Sequence, residues 1–250
     1  MNLNKLLNSI GNKITKCSGK CEGVKNDPKE GIYPRCFYPE IHSKKGYFDY
    51  IVIGINPGTA SELERAFVKY INNHKKSKKK KSEKSRFGFR DIKAVMKPIV
   101  ESDDYDYYKR LRAFLKLYPN NRKKRDLNIL WTELVKCQSD LKNKRLKYST
   151  KKSCFGEFLD SEIEVFTKTN HKKPLLVMLG RDVEDFFRKY QKENSQKKKL
   201  RKLGYVELYH PTGSRKFHSY FLKGNLQKEL KSNIEPRSKY PKYLWWYKSD

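Results

Sequence analysis

Four short apolar runs, each separated from the next by stretches whose apolar residues recur at helical spacing, constrain this chain more than any other feature. Residues 48–55, 127–136, 174–179 and 205–209 are rich in Val, Ile, Leu and aromatic residues and have the length of strands. Between them, 61–73, 92–100, 107–117, 155–167 and 181–192 repeat apolar residues three and four apart. In the first of these, Leu63, Phe67, Tyr70 and Ile71 fall on one face behind a Ser61 cap. Strand alternating with helix predicts an α/β fold, a three-layer α/β/α arrangement around a central four-stranded parallel sheet. A last helix is expected over 220–232. The predicted organisation is a cysteine-bearing segment, 1–46, packed on a domain at 47–232, and an aromatic tail at 233–250. The tail cluster Tyr243-Leu244-Trp245-Trp246-Tyr247 reads either as a packed terminus or as a stacking platform for bases.

Open α/β sheets bind ligands beyond the carboxyl ends of their strands. The first strand runs into Gly54-Ile55-Asn56-Pro57-Gly58, a tight turn that presents one amide, Asn56. The fourth ends in His210-Pro211-Thr212-Gly213-Ser214, a second small-residue loop with an imidazole at its mouth. Parallel strands would bring both loops to one sheet edge, so an amide and an imidazole are expected at a single cleft. Each also has a plainer reading: Asn56 as a turn-stabilising side chain, His210 as a core or capping histidine.

Charge points to the partner. With 58 Lys and Arg against 28 Asp and Glu, the formal net charge is +30, which predicts a polyanion, with Lys-rich coding bias as the competing explanation. The Lys-rich tract His74–Lys84 reads equally as a DNA-backbone contact or a solvated loop. No apolar run approaches the roughly 20 residues that span a bilayer, and the start lacks a secretory apolar stretch. A cytoplasmic protein with no membrane partner is therefore expected. At 250 residues, with 36% hydrophobic and 13% aromatic content, the chain can bury its own core and act as a monomer.

Five cysteines in a reducing compartment suggest ligands or bystanders more than disulfides. Cys17 and Cys21 are separated by three residues, Cys137 and Cys154 by sixteen, and Cys36 stands alone. The two pairs could close one four-thiolate site holding zinc or an iron–sulfur cluster. Buried thiols and disulfides are the alternatives.

Together these residues resemble a known family. Gly54-Ile55-Asn56-Pro57-Gly58 and His210-Pro211-Thr212 are similar to the two diagnostic loops of the uracil-DNA glycosylase superfamily, the first in the form used by its mismatch-specific thymine/uracil branch. Trp131-Thr132-Glu133-Leu134-Val135-Lys136-Cys137, followed by Cys154 and then Leu175 to Arg181, resembles a stretch in the iron–sulfur branch, where that cysteine pair supplies two cluster ligands and the N-terminus the other two. The likeness spans most of 15–230, although only the short motifs are specific. It implies a [4Fe-4S] cluster on Cys17, Cys21, Cys137 and Cys154, with zinc as the alternative. The family's N-terminal pair is usually separated by two residues, so Cys36 could replace Cys17 or Cys21.

A base inside a duplex must be flipped out before its glycosidic bond can be attacked, at a cost of a few kcal/mol. Positive charge supplies phosphate contacts that offset this cost and make binding salt-dependent. By the resemblance, Asn56 would position the attacking water, and His210 would donate a hydrogen bond to the base O2 as that oxygen gains charge. Gly54 and Ile55 would line the base pocket. Phe67 would sandwich the flipped base, with Phe87 and Phe89 as substitutes and a core role as the alternative. Ser214, Arg215 or Phe217, on the loop where the family intrudes into the helix, would fill the vacated stack, Arg215 being the preferred choice.

Two departures bear on the base. Gly58 stands where the strictly uracil-specific branch carries a tyrosine that blocks C5 substituents. Glu133 stands where uracil excisers usually present an asparagine amide. An ionised carboxylate only accepts hydrogen bonds, so it welcomes the amine of cytosine and repels the O4 of uracil unless burial keeps it protonated. A Glu133 turned outward or paired with a lysine would carry no such meaning. The expectation is a monofunctional DNA glycosylase acting on a C5-modified cytosine, for example in phage DNA. The alternatives are a uracil/thymine-mismatch repair enzyme and a non-catalytic DNA binder on the same fold.

Overall fold

A computed structural model of the protein describes residues 3–18, 20–27, 30–44, 47–57, 62–77, 88–117, 126–139, 145–168, 173–195, 200–211 and 242–247. The chain forms two compact units woven from alternating segments. One contains 1–38, 56–98 and 133–165, the other 39–55, 99–132 and 166–250.

The second unit is built on a mixed α/β core, a six-stranded, mostly parallel sheet flanked by helices. The strands of that sheet are β2 (Tyr38–Glu40), β3 (Tyr50–Gly54), β4 (Ile129–Glu133), β6 (Leu175–Leu179), β7 (Leu200–Leu208) and β8 (Lys242–Tyr247), in spatial order β2-β4-β3-β6-β7-β8, with the end residues Tyr38 and Glu133 counted in the first unit. The strands β3 and β6, Tyr-Ile-Val-Ile-Gly and Leu-Leu-Val-Met-Leu, are nearly continuous apolar runs. Such runs suit strands covered on both faces, and both are buried almost throughout. They pair in parallel, as do β6 and β7, whereas β8 joins β7 antiparallel. Asn128, just before β4, holds the loop before β3: its carbonyl accepts the Asp49 amide at 2.8 Å, its own amide donates to Asp49 Oδ2 at 3.1 Å, and its side chain donates to the carbonyls of Ser43 and Tyr47 at 3.0 and 2.9 Å. The starts of β3 and β4 are thereby tied at one edge.

The observed sheet departs from a four-stranded parallel expectation by two edge strands. The first, β2, lies in the N-terminal region. The second, β8, is the aromatic tail itself, and its pairing with β7 draws that strand out to nine residues, starting at Leu200 rather than Tyr205. Among the helices of this unit, α4 (Asp106–Leu117) buries Leu111, Phe114 and Leu115, and α7 (Arg181–Glu193) buries Val183, Phe186 and Phe187. Gly180 ends the β6-to-α7 turn at φ +82°, a backbone conformation that a side chain would strain. Its amide donates to the Leu208 carbonyl at 2.8 Å, and Phe48 meets Phe166 edge-on with ring centroids 5.1 Å apart.

The first unit is mainly helical. It holds α1 (Leu3–Thr15), α2 (Glu62–Ser77), most of α3 (Phe89–Glu101), the short pair β1 (Val24–Lys25) and β5 (Gln138–Ser139), α5 (Tyr148–Cys154), a π-helical turn at Phe155–Leu159, and α6 (Asp160–Lys168), which continues into the other unit. The helix expected over 155–167 is thus three pieces beginning at Tyr148. Phe37 and Phe89 pack at 5.0 Å between centroids, and the fully buried Lys136 ammonium lies 2.8 and 2.9 Å from the two Glu162 carboxylate oxygens. The helix expected over 220–232 lies outside the described residues. Among the described residues, no helix is long and apolar enough to cross a membrane.

Candidate active site

Because β3, β6 and β7 are parallel, Gly54 and Leu208 leave the sheet at the same edge. Asn56 and His210 each follow two residues later in the chain. Gly54 is buried and Ile55 half-buried. Asn56 is half-buried and donates its side-chain amide to the Pro57 carbonyl at 2.9 Å. That contact stabilises the turn and leaves Asn56 Oδ1 as the acceptor of the pair.

His210 belongs to the other unit and is held by its neighbours. The buried Arg110 pairs with Asp106 and donates from Nη1 to the Pro211 carbonyl at 3.2 Å, fixing the backbone that follows His210. The Tyr107 ring lies 5.6 Å from the imidazole, and a side chain added at Gly180 would meet His210 Cβ at 3.7 Å. Burial lowers the His210 pKa from its ordinary value. Burial thus favours the neutral imidazole, which carries one N–H. Arg110 and Tyr107 were not singled out in the sequence, since an Arg and a Tyr on an amphipathic helix give no local sign of which loop they hold.

Glu133 closes β4, the sheet neighbour of β3. The residue as a whole is partly accessible, but its Oε2 is buried and has no hydrogen-bond partner among the described residues. Two cations act on it electrostatically, and both are engaged elsewhere. Arg35 Nη2 lies 2.6 Å from each Glu64 oxygen, while Lys136 is bound to Glu162. Burial raises the Glu133 pKa from 4.5 to about 7 against the pull of Lys136 and Arg35, with Glu162 adding to the rise. Buried polar groups are ordinarily satisfied, so this orphaned acceptor marks a place where a donor from outside the chain would be welcome. Among the described residues, no lysine forms an ion pair with Glu133.

Phe67 is 39% exposed on α2 rather than packed in the core. Phe89 is buried against Phe37 and is not available for stacking. Gly58, Ser61, Phe87, Ser214, Arg215 and Phe217 lie outside the described residues, as does most of the basic tract.

The cysteines sort themselves clearly within the first unit. Pairing of β1 with β5 brings the loop after Cys21 alongside the residues that follow Cys137. Thr150 Oγ1 donates to the Glu22 carbonyl at 3.0 Å, which docks α5, and with it Cys154, onto the same loop. All five cysteines are thiols. Cys17, Cys21 and Cys154 all lie near enough to Cys137 to disfavour its ionisation, Cys17 most strongly. Cys154 Sγ accepts the Lys136 amide at 3.3 Å, and Asn26 donates to the Cys17 carbonyl at 2.7 Å. Burial lifts the Cys154 thiol to about 11, and the nearby Cys17 together with burial lifts Cys137 higher still. Four thiols so placed cannot ionise together without a cation among them. Among the described residues, no three His, Cys, Asp or Glu side chains are already arranged as metal ligands. The donor set of Cys17, Cys21, Cys137 and Cys154 nevertheless fits a thiolate-bound metal or cluster. Cys36 stands apart, buried and donating its thiol to the Gly11 carbonyl at 3.3 Å.

No protein-family model matches the chain, and no curated protein matches it.

Proposed function

We propose that this protein is a monofunctional DNA glycosylase that removes a C5-modified cytosine and leaves an abasic site. The observation that carries this reading is the buried, unpartnered Oε2 of Glu133 at the end of β4. A cytosine presents an exocyclic amine that would give this oxygen the donor it lacks, while an ionised carboxylate facing the O4 of uracil or thymine would place two acceptors together. On this reading the inner strands β4, β3, β6 and β7 are the superfamily's parallel core in a three-layer α/β/α fold, and β2 and β8 are edge additions.

Asn56 Oδ1 accepts from the attacking water, its amide nitrogen being held by the Pro57 carbonyl. His210, kept neutral by burial, donates its N–H to the base O2 as the C–N bond breaks and charge grows there. Gly54 and Ile55 line the pocket, and Gly58 leaves room for a substituent on C5. Phe67, exposed on α2, stacks on the flipped base. Arg215, with Ser214 and Phe217 as the alternatives, fills the vacated duplex position, and the net charge of +30 supplies the phosphate attraction. A [4Fe-4S] cluster on Cys17, Cys21, Cys137 and Cys154, or zinc in its place, would supply a structural cross-link between the N-terminal loop and α5. The protein would work as a cytoplasmic monomer, and a requirement for the modification would confine its action to foreign DNA such as that of phage.

One observation favours a second substrate. With a pKa of about 7, Glu133 is protonated in part of the population at neutral pH, and its O–H can then donate to O4. Uracil and thymine excision is the second reading, confined to the protonated form. Abasic-site formation on duplexes carrying uracil, thymine or modified cytosine tests both, with Asn56→Ala and His210→Ala as controls. If those two substitutions leave the biological effect intact, the protein is a binder rather than an enzyme.

A further inference from the structure

We propose that the outer face of the β7–β8 ribbon is a stacking platform for the unstacked bases of single-stranded DNA. The choice of DNA rests on the glycosylase reading above; the stacking surface itself does not. Two of the five exposed large hydrophobics among the described residues, Tyr243 at 53% and Trp245 at 49%, lie two positions apart on β8. Side chains at i and i+2 share one face of a strand, and Leu244 between them is buried in the opposite direction. The platform lies at the edge of the sheet, because β8 is its last strand.

The register builds the rest of the surface. Trp245 pairs with the exposed Lys202 and Tyr243 with Gly204. Lys202 Nζ sits 4.2 Å from the Tyr243 ring centroid and 5.9 Å from that of Trp245. Lys173 Nζ reaches the Lys202 carbonyl at 3.4 Å, adding a second exposed cation at the same place. Gly204 keeps the space beside Tyr243 open: a side chain there would begin 3.9 Å from Tyr243 Cε1 and crowd Leu175 Cδ1 at 3.2 Å. Two exposed aromatic rings and two exposed lysines thus lie together on this ribbon.

This chemistry selects its occupant. Rings two residues apart on a strand stand about 6.7 Å apart, roughly twice the 3.4 Å rise of a stacked DNA strand. Each ring therefore takes one base of an extended strand, while a duplex, with its bases stacked inside, offers no π-face. The lysines meet the phosphates, since an exposed cation–π contact is weak enough for a base to displace it. A second copy of a chain with net charge +30 would be repelled from such a patch, whereas a polyanion is drawn to it.

Binding of the full-length protein to labelled oligothymidylate, to the corresponding duplex and to oligouridylate, measured by fluorescence anisotropy, tests the assignment. Trp245→Ala and Tyr243→Ala should each weaken single-strand binding by roughly 5- to 100-fold, and Trp245→Phe should restore most of the loss. Duplex binding, governed by charge that none of these variants alters, should change by less than about twofold. The proposal is overturned if the alanine variants hold oligothymidylate like wild type, if single strand and duplex weaken together, if RNA binds more tightly than DNA, or if the variants dissolve a dimer without changing DNA binding. Base excision by Trp245→Ala on a modified-cytosine duplex should equal that of wild type. A wild type that excises nothing would refute the glycosylase reading, while the single-strand comparison would still decide the platform.

Discussion

Replacing Glu133 by Gln should stabilise the protein, and by an amount that depends on pH. The carboxyl pKa is raised by burial from 4.5 to about 7 in the folded protein, so the fold favours the protonated form. Stability from this group is fully present below pH 4.5 and is lost as pH rises through 7, because over that window the folded state holds a proton that the unfolded state has released. At about 1.36 kcal/mol per pKa unit, the full loss is ~3.4 kcal/mol, of which linkage places ~2 kcal/mol by pH 6 and ~3 kcal/mol by pH 7. Gln has nearly the same shape and never ionises. Its amide NH2 would also sit in the field of Arg35 and Lys136, which adds a cost, but one that does not vary with pH. Urea unfolding of wild type and E133Q at a series of pH values should therefore give a difference that moves towards the variant by ~3 kcal/mol between pH 4 and pH 7. A difference that stays flat within about 0.5 kcal/mol would refute the claim that a buried, unpartnered carboxylate is held in this site.

The same titration should govern base choice: excision of modified cytosine relative to uracil should rise as pH passes through about 7, and a ratio independent of pH would separate Glu133 from base recognition. Asn56→Ala should lower kcat by roughly 10²- to 10⁴-fold and His210→Ala by about 10²- to 10³-fold, with DNA affinity by gel shift nearly unchanged; loss of affinity without loss of kcat would assign them to binding alone. Cys154→Ser should abolish bound iron or zinc and lower the melting temperature, whereas Cys36→Ser, whose thiol donates to the Gly11 carbonyl, should keep the metal. Equal metal content in the two variants would remove Cys154 from the ligand set.

What could be read from residues alone followed local physics. The apolar runs at β3 and β6 need no partner to be recognised as buried strands, and Pro and Gly beside Asn56 and His210 mark turns wherever they occur. The tail was harder. Lys242 to Tyr247 mixes lysine with large aromatics, and only pairing with β7 makes a strand of it and lengthens β7 to Leu200. The condition of Glu133 was not legible at all. Its oxygen lacks a donor because Arg35 is taken by Glu64, 29 residues away, and Lys136 by Glu162, 26 residues away. No spacing rule reports such a competition, since it is settled by which side chains the folded unit brings together.

The central claim concerns which base is removed, and one gel measures it. Duplexes identical except for a single uracil, thymine, cytosine or 5-hydroxymethylcytosine, treated with the full-length protein and then with alkali to break abasic sites, should be cut at 5-hydroxymethylcytosine in preference to the others. With E133Q, whose amide can donate to O4, the preference should shift towards uracil. Exclusive cutting at uracil by the wild-type protein would contradict the account.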